Sequence, residues 1–140
     1  MVLLVTYRDT TFLFTGDIQK DAHKIVAGKL RDLSSTLEGK SNLIKMPHHG
    51  AYNSDPFLPD NASDNSLATL VNAAQSNYFV ISVGENNRYN RPDEKTIEII
   101  RQALGNDLDG SKHFYRTDEC GSIMVEVASN GHDLNITTTN

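Results

Sequence analysis

The stretch NLIKMPHHGAYNSDP, residues Asn42 to Pro56, decides how the fold of this chain is interpreted. Its apolar run, Leu43 to Met46, predicts a short buried strand that leads directly into a loop. Pro47 fixes one backbone angle of that loop, and Gly50 permits a tight turn, so the loop is built to hold a defined shape. A buried strand that ends in a shaped polar loop is typical of α/β proteins, where ligands collect at the ends of strands.

Two adjacent histidines, His48 and His49, lie in this loop. An isolated pair is compatible with turn residues or with a satisfied surface pair. Neutral imidazole is also the commonest side-chain metal ligand. In an extended segment adjacent side chains point to opposite sides, so we expect one ring to bind an ion and the other to lie beside it or contact substrate.

The rest of the chain alternates strands with helices in the order ββαβαβαβββ, which predicts an α/β fold with a mixed sheet and helices packed on one face. In the first helix, Ile18, Ala22, Ile25, Val26, Leu30 and Leu33 recur at helical spacing, and His23 is expected on a solvated face. The predicted helices are Ile18–Leu33, Ser66–Ala74 with Asp64 or Asn65 as N-cap, and a third that Pro92 opens and Gly105 ends. The predicted strands are Val2–Tyr7, Thr11–Phe14, Leu43–Met46, Tyr78–Val83, His113–Arg116, Ser122–Val127 and Leu134–Thr138.

Three polar loops directly follow predicted strands, with the sequences TGD, PHHG and GENNRYNRP. Because the carboxyl ends of parallel strands meet at one edge of a sheet, we expect these loops to converge there. Asp17 of TGD is compatible with an ordinary helix N-cap or with a carboxylate metal ligand. The turn TDECG, Thr117 to Gly121, is interpreted as structural, with Asp118 making a turn hydrogen bond.

Composition limits the classes of function. A chain of 140 residues with 38% hydrophobic and 22% charged residues is ordinary for one globular domain, here residues 1–140. The formal charge of -5 gives no broad positive field, so a nucleic-acid partner is not supported. The start, MVLLVTYRD, is neither a signal peptide nor a membrane span, and we expect a soluble, cytoplasmic chain with a single unpaired cysteine.

Four ordered motifs together resemble a known family: FLFTGD, LIKMPHHGAYNS, YFVISVGENNRYNRPDEKTIEIIRQAL and FYRTDECGSIMVE. They are similar to the second half of a metallo-β-lactamase-fold hydrolase domain, above all to that of ComEC-type DNA-uptake competence proteins. The resemblance covers Val2 to Glu126. It implies the C-terminal half of an αββα sandwich and one or two ions, zinc or manganese, that activate water to hydrolyse a phosphodiester or similar ester. It also implies Asp17 as a bridging carboxylate and His49 as a metal ligand, with His48 beside it.

The chain departs from this family in two ways. It lacks the early HxHxDH-like cluster and the further histidine before TGD, so the metal site is incomplete and the chain alone is expected to be inactive. Where relatives carry glycine and histidine before a proline, this chain has Asn90 and Arg91. Arg91 is either a phosphate-binding residue, with Asn90 and Tyr89 beside it, or a solvated residue at a helix start.

Two functions therefore remain open. The first is a metal-dependent hydrolase represented by its C-terminal half, which needs ligands from another segment or chain. The second is a non-catalytic, degenerate remnant that acts as an oligomerising or partner-binding module. Half of a sandwich leaves apolar sheet surface uncovered, so both predict self-association, most simply a homodimer.

Overall fold

The protein is described by a computed structural model that covers residues 1–52, 66–105 and 113–140. The sequence after the PHHG loop, with Pro56 and Pro59, predicts a long loop; that loop and the N-cap predicted at Asp64 or Asn65 lie outside these residues. Within them the α/β class predicted from the sequence is confirmed. The helices of this described part are all too short or too polar to cross a bilayer.

The centre of the fold is a five-stranded mixed sheet in which the strands follow one another in chain order. The first two strands form an antiparallel hairpin, and every later pair is parallel. Parallel neighbours place the carboxyl ends of the second, third and fourth strands at the same edge. The strands are β1 (Leu3–Tyr7), β2 (Thr10–Phe14), β3 (Ser41–Lys45), β4 (Tyr78–Ile81) and β5 (Phe114–Arg116).

Three helices connect the parallel strands. Because each crossover moves one position in the same direction along the sheet, right-handed connections place all three helices on one face. The first packs against the second, and the second packs against the third. They are α1 (Lys20–Asp32), α3 (Ser66–Ala74) and α4 (Glu94–Leu104); shorter helical segments are α2 (Ser34–Leu37), α5 (Thr117–Cys120) and a 3-10 turn at Pro47–Gly50.

The hydrophobic core lies between this helical layer and the sheet. One row of side chains runs across all five strands in register, and its central members are fully buried. Burying one such side chain contributes roughly 1.5–3 kcal/mol. The row comprises Leu4, Leu13, Ile44, Phe79 and Phe114, and the helices contribute Leu30, Leu70 and Ile100 to the same core.

The buried face of α1 differs from the one predicted. Ile25 is 63% exposed, whereas His23 is only 3% exposed and lies on the same face as buried Ala27. The His23 ring can be buried because it has hydrogen-bond partners: Nδ1 lies 3.3 Å from Oγ of Ser66, and Nε2 lies 3.1 Å from the carbonyl oxygen of Ile18. The solvated position expected for His23 is therefore wrong.

Other boundaries shift by a few residues. Helix α4 begins at Glu94 with Asp93 as its N-cap, so Pro92 precedes the helix instead of opening it. The predicted turn TDECG is the short helix α5, and the Asp118 carboxylate pairs with the Arg116 guanidinium at 2.6 Å instead of making a turn bond. Gly105 ends α4 as expected.

The C-terminal strands form a separate two-stranded antiparallel sheet, β6 (Ile123–Val127) and β7 (Leu134–Thr138). Its turn is attached to the start of β2, because the Asp9 amide donates to the Gly131 carbonyl at 3.1 Å. Its open end follows α5, where the Ser122 amide donates to Oγ1 of Thr139 at 2.9 Å.

Candidate functional site

The three polar loops converge at one edge of the sheet, as predicted. The His48 amide donates to the carbonyl oxygen of Gly16 at 3.0 Å, which joins the PHHG loop to the TGD loop. The Asp93 amide donates to the carbonyl oxygen of Gly50 at 3.0 Å, which joins the same loop to the segment before α4. Residues from the ends of β2, β3 and β4 therefore surround one surface region.

His49 and Asp17 come together in this region. The Nε2 atom of His49 lies 3.7 Å from Oδ1 of Asp17, and both side chains are more than half exposed, at 51% and 66%. The other ring nitrogen, Nδ1, lies 2.6 Å from the carbonyl oxygen of Ser82. A carbonyl oxygen only accepts hydrogen bonds, so Nδ1 carries a hydrogen, and Nε2 is the ring nitrogen that faces the carboxylate.

His48 takes a different direction. Its Nδ1 lies 3.4 Å from Nε2 of Gln19, the residue that precedes α1. Both histidines have left-handed backbone angles, with φ of 46° at His48 and 54° at His49, so the extended backbone expected for this pair is wrong. The two rings nevertheless contact different partners, and the structure brings only His49 to Asp17.

The carboxylate of Asp93 links the PHHG loop to the segment before α4, and this link is called the Asp93 clasp. One oxygen of its carboxylate accepts the Tyr52 amide at 2.7 Å and pairs with the Arg91 guanidinium. Gly50 allows the two segments to touch, because a Cβ at this position would lie 2.6 Å from Cβ of Pro92. These contacts fix where the histidine loop lies relative to α4.

Arg91, Asn90 and Tyr89 lie in the loop after β4, and within the described residues no hydrogen bond or ion pair joins any of them to His49 or Asp17. The side chain of Asn87 organises this loop: Oδ1 accepts the amides of Tyr89 at 3.3 Å and Arg91 at 2.9 Å, and Nδ2 donates to the Arg91 carbonyl at 2.8 Å. Tyr89 is 61% exposed, and Asn90 is exposed with a left-handed φ of 50°. Their substrate-binding role stays a prediction.

Lys45 is a charged group at the end of β3 that was not predicted from the sequence as a site residue. Partial burial lowers the pKa of its amine from 10.5, and the negative charge of Asp17 opposes that shift. The backbone carbonyl of Lys45 accepts the Thr15 hydroxyl at 2.6 Å, which ties β3 to the start of the TGD loop. The site therefore holds one cation close to its carboxylate.

The Asp17 and His49 pair fits part of a metal site. Two ligands of a tetrahedral zinc ion, each about 2.0–2.1 Å from it, lie about 3.4 Å apart, close to the observed separation of 3.7 Å. The carbonyl contact of Nδ1 is the usual support for a histidine that binds metal through Nε2. Within residues 1–52, 66–105 and 113–140, no third histidine, cysteine or carboxylate completes the set. The described residues thus offer two possible donors, whereas a catalytic zinc ion usually has at least three protein ligands.

Comparison with known proteins gives one distant relative. The chain is 23% identical over 124 residues to ComE operon protein 3 of Bacillus subtilis. That match covers 89% of this chain but only 13% of the relative, so the chain spans a small part of its length. No protein-family model and no solved structure matches the chain.

Several residues that shape the site were not singled out from the sequence. The role of Ser82 is carried by its backbone carbonyl, which no side-chain pattern reveals. Asp93 is visible only as an acidic residue in the first turn of a predicted helix, while its bond to Tyr52 is a tertiary contact. Asn87 belongs to a run of turn-forming residues, which was a usable signal for a loop organiser.

Proposed function

We propose that this chain supplies two ligands of a divalent metal, zinc or manganese, in a hydrolase of the metallo-β-lactamase type that acts on a phosphodiester or similar ester. The observation that carries the proposal is the pairing of Asp17 with Nε2 of His49, with the opposite ring nitrogen held by a backbone carbonyl. The four motifs that resemble this family also support it. The name of the distant relative, ComE operon protein 3, specifies no enzymatic activity.

Each residue has a defined part in this proposal. The Asp17 carboxylate and Nε2 of His49 hold the ion, and the Ser82 carbonyl keeps the ring in the tautomer that leaves Nε2 free to bind. A bound ion would lower the pKa of its water to about 7 and would polarise the ester. His48, beside the pair, is placed to contact substrate or support a ligand.

Arg91 is proposed to bind the phosphate, with Asn90 and Tyr89 beside it. Its guanidinium already pairs with Asp93. A guanidinium carries five N–H donors in a fixed fork, so it can serve a carboxylate and a phosphate together. Asp93 would then position the arginine while it clasps the histidine loop.

Two ligands do not make a catalytic zinc site, which usually has three protein ligands and a water. The remaining donors must come from another segment or another chain. We therefore expect this chain alone to bind metal weakly and to show no hydrolysis of a generic phosphodiester such as bis(4-nitrophenyl) phosphate, even with added metal.

Calorimetric titration with zinc and with manganese tests the proposal. We expect His49→Ala and Asp17→Asn each to weaken metal binding by roughly tenfold or more, since each removes a ligand. His132→Ala is the matched control because this histidine is exposed in the turn of the C-terminal hairpin. The absence of any metal binding by the unmodified chain, or equal losses in all three variants, would contradict the proposal.

The second candidate is a non-catalytic module that associates with itself or with a partner. The observation that favours it is the exposure of large apolar side chains on the sheet, including Leu3 at 48%, Tyr7 at 52% and Phe14 at 44%. Large exposed apolar patches usually mark an interface. An unmodified chain that binds no metal but self-associates would support this candidate over the first.

A further inference from the structure

Four of the exposed large apolar side chains in the described residues lie together at one corner of the five-stranded sheet. Leu3, Val5 and Tyr7 alternate along β1 and are 48%, 39% and 52% exposed. Alternate residues of a strand share a face, so the three lie on one side of the sheet. Phe14, 44% exposed, is the cross-strand partner of Leu3 and extends the same patch onto β2.

The same strand is an edge of the sheet. In the described part of the chain β1 pairs with β2 alone, so its outer backbone groups face away from the sheet. Natural edge strands are usually protected by charge, proline, a bulge or a short length. The five residues of β1, LLVTY, contain no charge and no proline.

Strand β5, at the opposite edge of the sheet, has two of these protective features. Strand β5 is three residues long and ends in Arg116. That guanidinium pairs with Asp118 at 2.6 Å and with Glu119 at 2.7 Å. A short edge with charged groups at its end discourages strand addition. Strand β1 is longer, at five residues, and the charge nearest to it in sequence is Arg8, which follows the strand with its guanidinium 5.4 Å from the centre of the Tyr7 ring and leaves Leu3 and Val5 without a charged neighbour in the strand.

We propose that β1 is a homodimer interface, in which two copies pair their β1 strands antiparallel around a two-fold axis at Val5 and join the two sheets. This inference rests on the second candidate function, because it names the surface and the partner of self-association. It does not use Asp17 or His49, which lie in the loops at the carboxyl ends of β2 and β3.

The order of side chains in β1 is what selects a second copy as the partner. A two-fold at Val5 places Val5 opposite Val5 of the partner subunit and Leu3 opposite Tyr7 of the partner subunit. Directly opposed residues in antiparallel strands lie on the same face, so large apolar groups meet at all three positions. An interface that matches itself in this way is the requirement for a two-fold dimer.

The size of the patch predicts a weak dimer. At about 150–250 Å² for an aromatic side chain and less for leucine or valine, the four groups, each 39–52% exposed, offer at most roughly 450 Å² per subunit. A standard stable interface buries about 800 Å² per partner. We therefore expect association that depends on concentration, held by strand hydrogen bonds and this apolar stripe together.

Sedimentation velocity across the micromolar to millimolar range tests the proposal. We expect the mass of the unmodified chain to rise from one chain of 15.5 kDa toward two chains. Val5→Lys places a charge at the two-fold and should keep the chain monomeric. Ile25→Lys is the matched control, since Ile25 is 63% exposed on α1, and it should associate as the unmodified chain does. A single-chain mass at every concentration, or an unchanged association of Val5→Lys, would overturn the proposal.

Cross-linking provides an independent measurement if Val5→Lys fails to fold. In a Cys120→Ser background, Val5→Cys brings two thiols together at the axis and should form a disulfide-linked dimer on mild oxidation. Ile25→Cys in the same background should not. Equal cross-linking of the two variants, or none at Val5→Cys, would overturn the interface. The double variant Asp17→Asn, His49→Ala should still associate, so failure of the metal proposal leaves this test intact.

Discussion

A Cβ atom added to Gly50 would lie 2.6 Å from the Cβ atom of Pro92, so the histidine loop and the segment before α4 touch through the bare backbone of a glycine. Gly50 also has a φ of +79°, a conformation that side-chain-bearing residues rarely adopt. Both features hold the loop of His49 against α4, and neither tolerates a side chain.

Gly50→Ala is therefore expected to lower the free energy of unfolding by about 1–3 kcal/mol, measured by urea denaturation. Gly28→Ala is the matched control: nothing lies within 4 Å of its Cβ position in α1. Alanine is the better helix former, so this control should raise stability by about 0.5–1 kcal/mol. If Gly50→Ala and Gly28→Ala changed the free energy of unfolding in the same direction, the close approach at Gly50 would be contradicted.

Asp93→Ala should loosen the clasp between the two segments. The change removes the acceptor of the Tyr52 amide and the partner of Arg91, and we expect a loss of about 1–3 kcal/mol in urea denaturation. Asp93→Asn keeps a carbonyl oxygen for Tyr52 and should cost less. Glu98→Ala, an exposed change in α4, should be nearly neutral, and equality of Asp93→Ala with that control would argue against the clasp.

His23→Ala tests the buried histidine of α1. Removing the ring leaves a cavity between α1 and its neighbours and takes a partner from Ser66 and from the Ile18 carbonyl. We expect a loss of about 1–3 kcal/mol in thermal or urea unfolding. His132→Ala, an exposed change, should stay within about 0.5 kcal/mol. A neutral His23→Ala would show that the ring is solvated after all.

Because of Lys45, we expect the free energy of unfolding to depend on pH in the alkaline range. Burial lowers the pKa of its amine in the folded protein below 10.5, with Asp17 opposing the shift, while the unfolded chain keeps the ordinary value. Between the two pKa values the unfolded state binds more protons, so the free energy of unfolding rises with pH in that window. At pH values below the pKa of Lys45 in the folded protein, the amine is charged and its burial destabilises the fold to the full extent.

Lys45→Met removes this effect. We expect the variant to gain stability over the unmodified chain at neutral pH and to lose that advantage as pH rises toward 10.5. Urea denaturation at a series of pH values measures the difference. Lys24→Met, an exposed change on α1, should give an offset that does not vary with pH. An advantage of Lys45→Met that grows with pH would have the wrong sign.

Much of the fold could be predicted because its signals are local. Ser66–Ala74 and Leu134–Thr138 have the predicted bounds, since a continuous apolar helix and an alternating strand are readable within a few residues. The buried face of α1 could not be predicted. His23 counts as polar in any periodicity, and its burial is made favourable by hydrogen-bond partners such as Ser66 and the Ile18 carbonyl, which periodicity does not reveal.

The candidate site likewise has features that could be predicted from the sequence and features that could not. That Asp17 and His49 approach each other follows from two loops that end neighbouring parallel strands, which the order of elements predicts. The left-handed backbone of both histidines and the carbonyl of Ser82 that orients His49 depend on tertiary contacts. The pair of Asp17 and His49 could therefore be identified from the sequence, but the hydrogen bond that orients the His49 ring could not. The extended backbone expected for the two histidines is not the one that the structure has.

The most direct test of the central claim is a zinc titration followed by nitrogen-15 NMR of the histidine rings in the unmodified chain. The chain has five histidines, and the structure places a hydrogen on Nδ1 of His49 and turns Nε2 toward Asp17. We expect zinc to shift the Nε2 resonance of His49 first, and we expect Asp17→Asn to weaken this shift. A His49 ring that does not respond, or equal shifts at His132 and His49, would contradict it.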